Sequence, residues 1–323
     1  MDLSIIIINW NSVDFLRKCL ASVYAHTKGF SFEVLVVDNA SFDGCDDMIR
    51  EEFPSVRFIQ SQENLGFARG NNLGFEHSTG EGLLFLNPDT EVVGAALEDM
   101  VVLLKALPDA GAMGPKLLNS DLSIQTSCLQ SFPTIVNQVL DAEYLRQLFP
   151  RWSLWGNRTL FEGTRRPVPV EGISGACLLV KRSVFERVGG FTPDYFMYAE
   201  DMDLCYKIHK AGWKNYYVPC ATVVHHGGQS TTARSDKQFS SVMMRESIKH
   251  FMRVHYGELY ARLFQSATAC IAFCRMCLLA MAMAFPWPPQ QKQSLSLSFR
   301  KWRRVCRWAF GLETWAKAKH ARP

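Results

Sequence analysis

Leu3-Ser4-Ile5-Ile6-Ile7-Ile8-Asn9-Trp10-Asn11 is an apolar run that stops on an Asn-Trp-Asn cluster. A short run rich in β-branched side chains reads as a strand covered on both faces. The design returns twice. Residues 33–37 lead into Asp38-Asn39-Ala40-Ser41, and residues 82–86 lead into Asn87-Pro88-Asp89-Thr90. Between them, residues 15–24 set Phe15, Leu16, Cys19, Leu20 and Val23 at helical spacing. Residues 56–59 read as a third strand and residues 66–77 as a second helix. Strands alternating with helices predict an α/β domain with a Rossmann-like, mostly parallel sheet flanked by helices. In such sheets ligands bind beyond the carboxyl ends of the strands. The three polar clusters are therefore expected to converge on one crevice.

Further along, residues 120–169 lose this regularity and carry Pro133, Pro150, Pro167, Pro169, Trp152 and Trp155, as a substrate-facing segment would. Order returns with a strand at 172–180, a helix at 182–188 and a helix at 199–211 that Gly212 closes. A strand at 215–218 follows, then Val223-Val224-His225-His226. The 199–211 helix opens on Glu200, Asp201 and Asp203, directly after Tyr195-Phe196-Met197-Tyr198. Acids favour a helix start, where free N–H groups and the dipole attract negative charge. Carboxylates beside a desolvating aromatic wall also acquire pKa values suited to proton transfer. Asn87-Pro88-Asp89 is likewise a plain turn sequence. At a strand end facing a crevice, though, one carboxylate plus substrate phosphates suffices for Mg²⁺, and an imidazole from His225 or His226 suits Mn²⁺. Asp38 can read a hydroxyl or a base N–H, and Trp10 offers a flat face for a nucleobase. The spacings of the dinucleotide and P-loop phosphate fingerprints are absent, so no motif supports hydride transfer or ATP hydrolysis.

The chain has 323 residues, room for one large α/β domain and an appendage. Its net charge of +4 is unevenly placed. Beyond residue 298, Arg300, Lys301, Arg303, Arg304, Arg307, Lys317, Lys319 and Arg322 face a single acid, Glu313. With Trp302, Trp308 and Trp315 interleaved, this tail suits an anionic membrane surface better than nucleic acid. Residues 267–285 are apolar except for Arg275. A central Arg disfavours spanning, so an interfacial or docked helix is expected. Residues 3–8 are too short for a signal peptide and lack its basic flank. Ten cysteines without a disulfide-like framework fit reduced thiols in a cytoplasmic compartment. Cys270, Cys274 and Cys277 carry an iron–sulfur-like spacing, but spacings of four and three also place them on one helix face.

Taken together, the ordered pieces resemble glycosyltransferase family 2. They are Ile5-Ile6-Ile7-Ile8-Asn9-Trp10-Asn11, Val36-Val37-Asp38-Asn39-Ala40-Ser41-Phe42-Asp43-Gly44 and Asn64-Leu65-Gly66-Phe67-Ala68-Arg69-Gly70-Asn71-Asn72. Leu86-Asn87-Pro88-Asp89-Thr90, Ser174-Gly175-Ala176, Val188-Gly189-Gly190-Phe191 and Phe196-Met197-Tyr198-Ala199-Glu200-Asp201-Met202-Asp203-Leu204 follow in the same order. The rhamnosyltransferase-like branch is the one matched in most detail. The resemblance spans about residues 1–257, with a nucleotide-binding half to about 118 and an acceptor-binding half at 119–257. Residues 258–323 form a basic, apolar, helical membrane-associating extension outside it.

What the resemblance implies is a GT-A fold and inverting transfer of a sugar, with Mg²⁺ or Mn²⁺ as cofactor. The donor would be dTDP-L-rhamnose, or a UDP-hexose or UDP-galactofuranose. The acceptor would be a lipid-linked saccharide or polysaccharide at the cytoplasmic membrane face, in bacterial surface glycan synthesis. A catalytically silent glycan-binding module is the rival of another class. By position, Asp201 would be the general base with Glu200 beside it. Asp89 would hold the metal with His225, His226 being an equal claimant. Asn87 stands where the family's metal motif has its first acid. Asn9, Trp10, Asn11, Asp38, Asn64, Gly66, Arg69, Asn72 and Asn87 would bind the nucleotide sugar. Trp152, Trp155, Tyr198 and Asp203 would meet the acceptor.

Overall fold

The computed structural model describes residues 1–139, 166–227 and 237–316. The chain divides into two units: residues 1–132, 156–196 and 200–231, and residues 133–155, 197–199 and 232–323.

The first unit is built on a nine-stranded sheet. Its strands are β1 (Leu3–Asn9), β2 (Phe32–Asp38), β3 (Arg57–Gln60), β4 (Gly82–Leu86), β5 (Thr90–Val93), β6 (Ala110–Leu118), β8 (Val168–Val170), β10 (Cys177–Lys181) and β11 (Lys214–His225). The order is β3-β2-β1-β4-β10-β6-β11-β5, with β8 also against β11. β1, β2, β3, β4, β6 and β11 point one way; β5, β8 and β10 oppose them. β7 (Leu129–Gln130) and β9 (Gly172–Ile173) pair separately.

All seven residues of β1 are buried, as a strand covered on both faces requires. On one face Leu3, Ile5 and Ile7 join Leu16, Cys19, Leu20 and Val23 of α1 (Val13–His26) in the main core. On the other, α3 (Gly66–Glu76) lies close through glycines. A Cβ at Gly74 would stand 2.4 Å from Ile6, and one at Gly70 3.3 Å from Ile8. Around them pack α2 (Cys45–Glu52) and α4 (Ala96–Ala106), with α6 (Arg182–Arg187) after β10 and α7 (Glu200–Lys210) before β11.

The strand expected at 172–180 is in fact two, β9 and β10, broken at Ser174-Gly175-Ala176, and β10 runs antiparallel between β4 and β6. β11 is far longer than the 215–218 run, because a bulge between Val218 and Thr222 lets it continue past Pro219 to His225.

The second unit comprises α5 (Ile135–Val139), α8 (Lys237–Tyr256), α9 (Glu258–Met283) and α10 (Pro289–Ala309). α8 thus groups with the C-terminal helices, although the resemblance spans it. Gly257, at φ 94°, makes the turn from α8 into α9 where a side chain would be strained. Met243, Phe251, Phe264, Val305 and Trp308 are buried here. Arg275, the charge inside the apolar run, stacks on Trp302 of α10 with its guanidinium 4.3 Å from the ring centre. α9 is long and apolar enough to cross a membrane, with mean hydropathy 1.7 over 18 residues, yet 11% of that window is buried. Cys270, Cys274 and Cys277 are exposed on it and join no cluster of metal ligands among the described residues.

Candidate active site

β1 and β2 run in parallel register, which sets Asn9 opposite Asp38 at their carboxyl ends. Asp38 is wholly buried and collects donors there. Asn9 Nδ2 donates to it at 2.8 Å, Gln60 Nε2 at 2.8 Å and the Ser41 backbone N–H at 3.0 Å; the Ser41 hydroxyl donates as well. Burial is the largest influence and pushes this carboxyl up. Hydrogen bonds from Ser41, Gln60 and Asn9 outweigh it and hold the group below its usual range. The result is a fixed anion at a strand end. Its loops are strained, with Asn11 at φ 53°, Ala40 at 59° and Phe42 at 50°. Trp10 and Asn11 face outward.

Asp43 lies beside this cluster, and Asp38, Asp43 and Cys45 offer three potential ligand atoms within 4.8 Å of one another. The donor set suits a hard divalent cation poorly. Burial, then the two carboxylates, push the Cys45 thiol up and keep it protonated. Asp43 already accepts from Asn9 Nδ2 and from the backbone of Val13 and Cys45.

The residues around the start of α3 form a second knot. Asn39 Nδ2 donates to Asn64 Oδ1 and to the Gly66 carbonyl, both at 3.1 Å, while its Oδ1 accepts from the Leu65 N–H at 2.9 Å. Gly66 sits at φ 74°, and a Cβ there would stand 2.3 Å from the Phe196 carbonyl. Arg69 Nε donates to the Pro193 carbonyl. The Asn72 amide bonds the Phe191 backbone at both ends and pins α3 to that segment.

At the end of β4, Asp89 is 3% exposed. Pairing of β5 with β11 sets Thr90 opposite His225. His225 Nε2 lies 3.3 Å from Asp89 Oδ1 and 3.4 Å from Asn87 Nδ2. His226 turns elsewhere, to Glu91 at 2.8 Å and Ser120 at 2.9 Å. His225 is oriented by a residue that motif reading does not reach. Its Nδ1 lies 2.7 Å from Gln125 Oε1, and Gln125 Nε2 donates to Asn119 Oδ1. That second bond identifies Oε1 as the oxygen, which can only accept, so Nδ1 carries the proton. In the neutral ring Nε2 then turns its lone pair toward the Asn87 amide and Asp89. A carboxylate and an imidazole so disposed fit Mn²⁺ or Mg²⁺ completed by phosphate oxygens.

The acid-bearing helix starts from a strained approach, with Tyr198 at φ 72° and Ala199 at 63°. Asp201 Oδ2 accepts the Gly175 N–H and Oδ1 the Met202 N–H, each at 2.8 Å. Burial raises the Asp201 carboxyl, and those N–H groups partly offset the rise. Glu200 is 7% exposed, its Oε2 has no hydrogen-bond partner among the described residues, and burial with the Asp201 charge holds it well above the carboxylate range. The two backbone N–H groups thus favour the charge on Asp201, while Glu200 Oε2 has no such donor among the described residues. The strand break at residues 174–176 links both acidic regions: Gly175 holds Asp201, and the next carbonyl, of Ala176, accepts the Asn87 N–H at 2.9 Å.

Asp203 is fully buried and takes hydrogen bonds from Thr192 at 2.6 Å and Tyr195 at 3.3 Å, with Lys207 at 3.3 Å. Two residues on from Asp201, it points into the core and ties α7 to the Thr192 loop. Tyr195 is buried with it. Tyr198 lines a cavity of the second unit. Trp152 and Trp155 lie outside the described residues.

Comparison with known proteins bears on the family and the fold. The model of glycosyl transferase family 2 matches residues 4–189, and that of glycosyl transferase family group 2 matches residues 129–318. An N-acetylglucosaminyl-diphospho-decaprenol L-rhamnosyltransferase of Mycobacterium tuberculosis is 33% identical over 242 residues, 71% of this chain and 77% of that protein. The rhamnosyltransferase WbbL of Escherichia coli is 25% identical over 73% of this chain and 87% of its own length. The mannosyltransferase PcManGT from Pyrobaculum calidifontis, solved with GDP-Man and Mn²⁺, shares the fold. Its TM-score is 0.58 at 20% identity, covering 99% of this chain and 88% of that one.

Proposed function

We infer the reaction from one premise, that this chain belongs to glycosyltransferase family 2 and to its rhamnosyltransferase-like branch. The proposal is inverting transfer of L-rhamnose from dTDP-L-rhamnose to a lipid-linked saccharide, at the cytoplasmic face of a membrane. The observation that carries it is the Glu200–Asp201 pair, in which Asp201 is held by the Gly175 and Met202 N–H groups while Glu200 Oε2 has no partner among the described residues. Two adjacent carboxyls in different environments can divide a proton-transfer task.

In this reading the ionised Asp201 takes the proton of the acceptor hydroxyl. The freed oxygen attacks the anomeric carbon as the bond to the diphosphate oxygen breaks, and the configuration inverts. Glu200, still protonated, offers a hydrogen-bond donor beside the base. Asp38 receives an N–H of the donor's base and Trp10 flanks its ring. Asp89 and His225 would hold Mg²⁺ or Mn²⁺, which when bound supplies positive charge against the departing diphosphate. Gln125 keeps the His225 lone pair turned to that position.

The rhamnosyl donor and lipid acceptor are supported by the names of the two rhamnosyltransferase relatives. Membrane association is supported by the exposed apolar face of α9 and the basic α10. The test is incubation with polyprenyl-diphospho-N-acetylglucosamine and, in separate reactions, dTDP-L-rhamnose, UDP-galactofuranose and UDP-hexoses. Release of dTDP together with a rhamnosylated lipid is the expected result. Product with a UDP donor alone would replace the rhamnosyl assignment, and no product from any donor would overturn transfer itself.

A further inference from the structure

A glutamine amide has two N–H donors at one end and an accepting oxygen at the other. At Gln60, the last residue of the edge strand β3, both donors are spent. Its Nε2 lies 2.8 Å from Asp38 Oδ2 and 2.9 Å from the Ser61 carbonyl. A carboxylate and a carbonyl only accept, so this end of the amide is the nitrogen. Oε1, fixed in place by those two bonds, takes no hydrogen bond among the described residues and is not sealed in the core. Gln60 itself is half-buried.

Asp38, by contrast, has no lone pair to spare. Its Oδ1 accepts from Asn9 and from the Ser41 hydroxyl. Its Oδ2 accepts from the Ser41 and Phe42 N–H groups and from Gln60. Those donors fill the roughly four lone-pair sites of a carboxylate, and the side chain is wholly buried. The unmet acceptor in this row of strand ends is therefore the amide that Asp38 holds. β3, β2 and β1 lie side by side in parallel, with Gln60 opposite Asp38 and Asp38 opposite Asn9. Trp10 and Phe42, exposed aromatic residues, follow the ends of β1 and β2.

We propose that Gln60 selects the base of the nucleotide, its Oε1 accepting a ring N–H. Thymine and uracil carry that proton at N3 and guanine at N1. Cytosine and adenine present a bare ring nitrogen there, which would face the oxygen lone pair to lone pair. A site with a committed acceptor rejects the base that leaves it unpaired. This assignment rests on the proposed transferase function, and it carries the base contact given to Asp38 one residue outward, to the group that Asp38 orients.

The test is calorimetric titration of the full chain, in detergent micelles with Mn²⁺, with dTDP, N3-methyl-dTDP and dCDP. Wild type is compared with Gln60→Met, which keeps much of the side-chain volume and loses the acceptor, with thermal unfolding as the fold check. Wild type should bind dTDP about tenfold or more tightly than either other ligand, and the variant should bind all three within about threefold. A purely structural role would weaken all three together and keep their ratio, which would overturn the proposal. So would wild type binding N3-methyl-dTDP as tightly as dTDP, a result that needs no variant to fold. Sugar transfer from dTDP-L-rhamnose is followed in parallel. A chain that transfers sugar while its variant keeps the wild-type ratio loses the Gln60 assignment alone. A chain whose ratio collapses in the variant but that transfers no sugar keeps Gln60 and loses the transferase reading.

Discussion

Glu200 and Asp201 are adjacent on a helix, so their side chains diverge by about 100°. That divergence separates their environments: one carboxyl is buried with an oxygen unpartnered among the described residues, the other is held by two backbone N–H groups. Asp201→Asn should lower kcat by about a hundredfold or more with donor affinity near wild type, because a general base acts in the transition state. Steady-state kinetics beside a donor-binding isotherm check this, and wild-type turnover would refute it. Glu200→Gln should show itself in stability. A carboxyl raised in the fold keeps its proton after the unfolded chain, near the ordinary value of 4.5, has lost its own. Native stability therefore falls as pH rises above that value. The Gln variant lacks this loss, so its Tm should exceed that of wild type by more at pH 7 than at pH 4. Calorimetry showing the same offset at both pH values would count against it. Gln125→Ala should weaken Mn²⁺ binding to the enzyme–nucleoside diphosphate complex by about 10- to 100-fold, as loss of a ligand-orienting partner does. His226→Ala should leave that affinity alone. Calorimetric titration with Mn²⁺ distinguishes the two, and the reverse outcome would exchange the histidines.

Helix α3 shows how an element is placed by what it lacks. Gly70 and Gly74 bring it against Ile8 and Ile6 of β1, and Gly66 clears the Phe196 carbonyl. Gly74→Ala puts a methyl group 2.4 Å from a buried Ile6 carbon and should cost about 1–3 kcal/mol by overpacking. The denaturant midpoint measures it, and a neutral midpoint would mean that α3 shifts freely. Strands β1 to β4 and helices α1 and α3 were legible in sequence because apolar runs end at turn-forming clusters, whereas the mostly charged α2 was not read. The break at residues 174–176 was not legible either. Its apolar residues read as one strand, and only the distant Asp201 and Asn87 explain why the chain leaves the ladder there. The same holds for Asp203, which shares a helix start with Asp201 yet serves Thr192 and Tyr195.

Among the described residues, the C-terminal helices carry a run of exposed hydrocarbon beside clustered positive charge. Leu278 is 61% exposed and Phe273 62%, on a helix whose apolar window is almost wholly uncovered. An apolar surface with basic residues nearby partitions to an anionic interface, each Lys or Arg adding about 1 kcal/mol. Replacing Phe273, Leu278 and Met281 together by Ser should reduce sedimentation with phosphatidylglycerol vesicles at least tenfold while nucleoside diphosphate binding persists. Raising the salt concentration should weaken the wild-type association, since exposed charges are screened within about 10 Å at 0.1 M. Undiminished sedimentation of the triple variant would refute a role for this face.

The amino-acid sequence by itself determined the α/β class, the strand ends that carry Asn9, Asp38 and Asp89, and the acids at the start of α7. Burial runs and helix starts are local patterns that the physics of two periodicities exposes. Tertiary structure alone decided which of those residues work together. The pairing of β5 with β11 turns His225, and not His226, toward Asp89. A glutamine a hundred residues away accepts the ring's Nδ1–H and so turns Nε2 toward Asn87 and Asp89. The antiparallel insertion of β10 lets two consecutive backbone groups hold Asp201 and Asn87. Such choices depend on contacts between residues far apart in the chain, and no local periodicity encodes them.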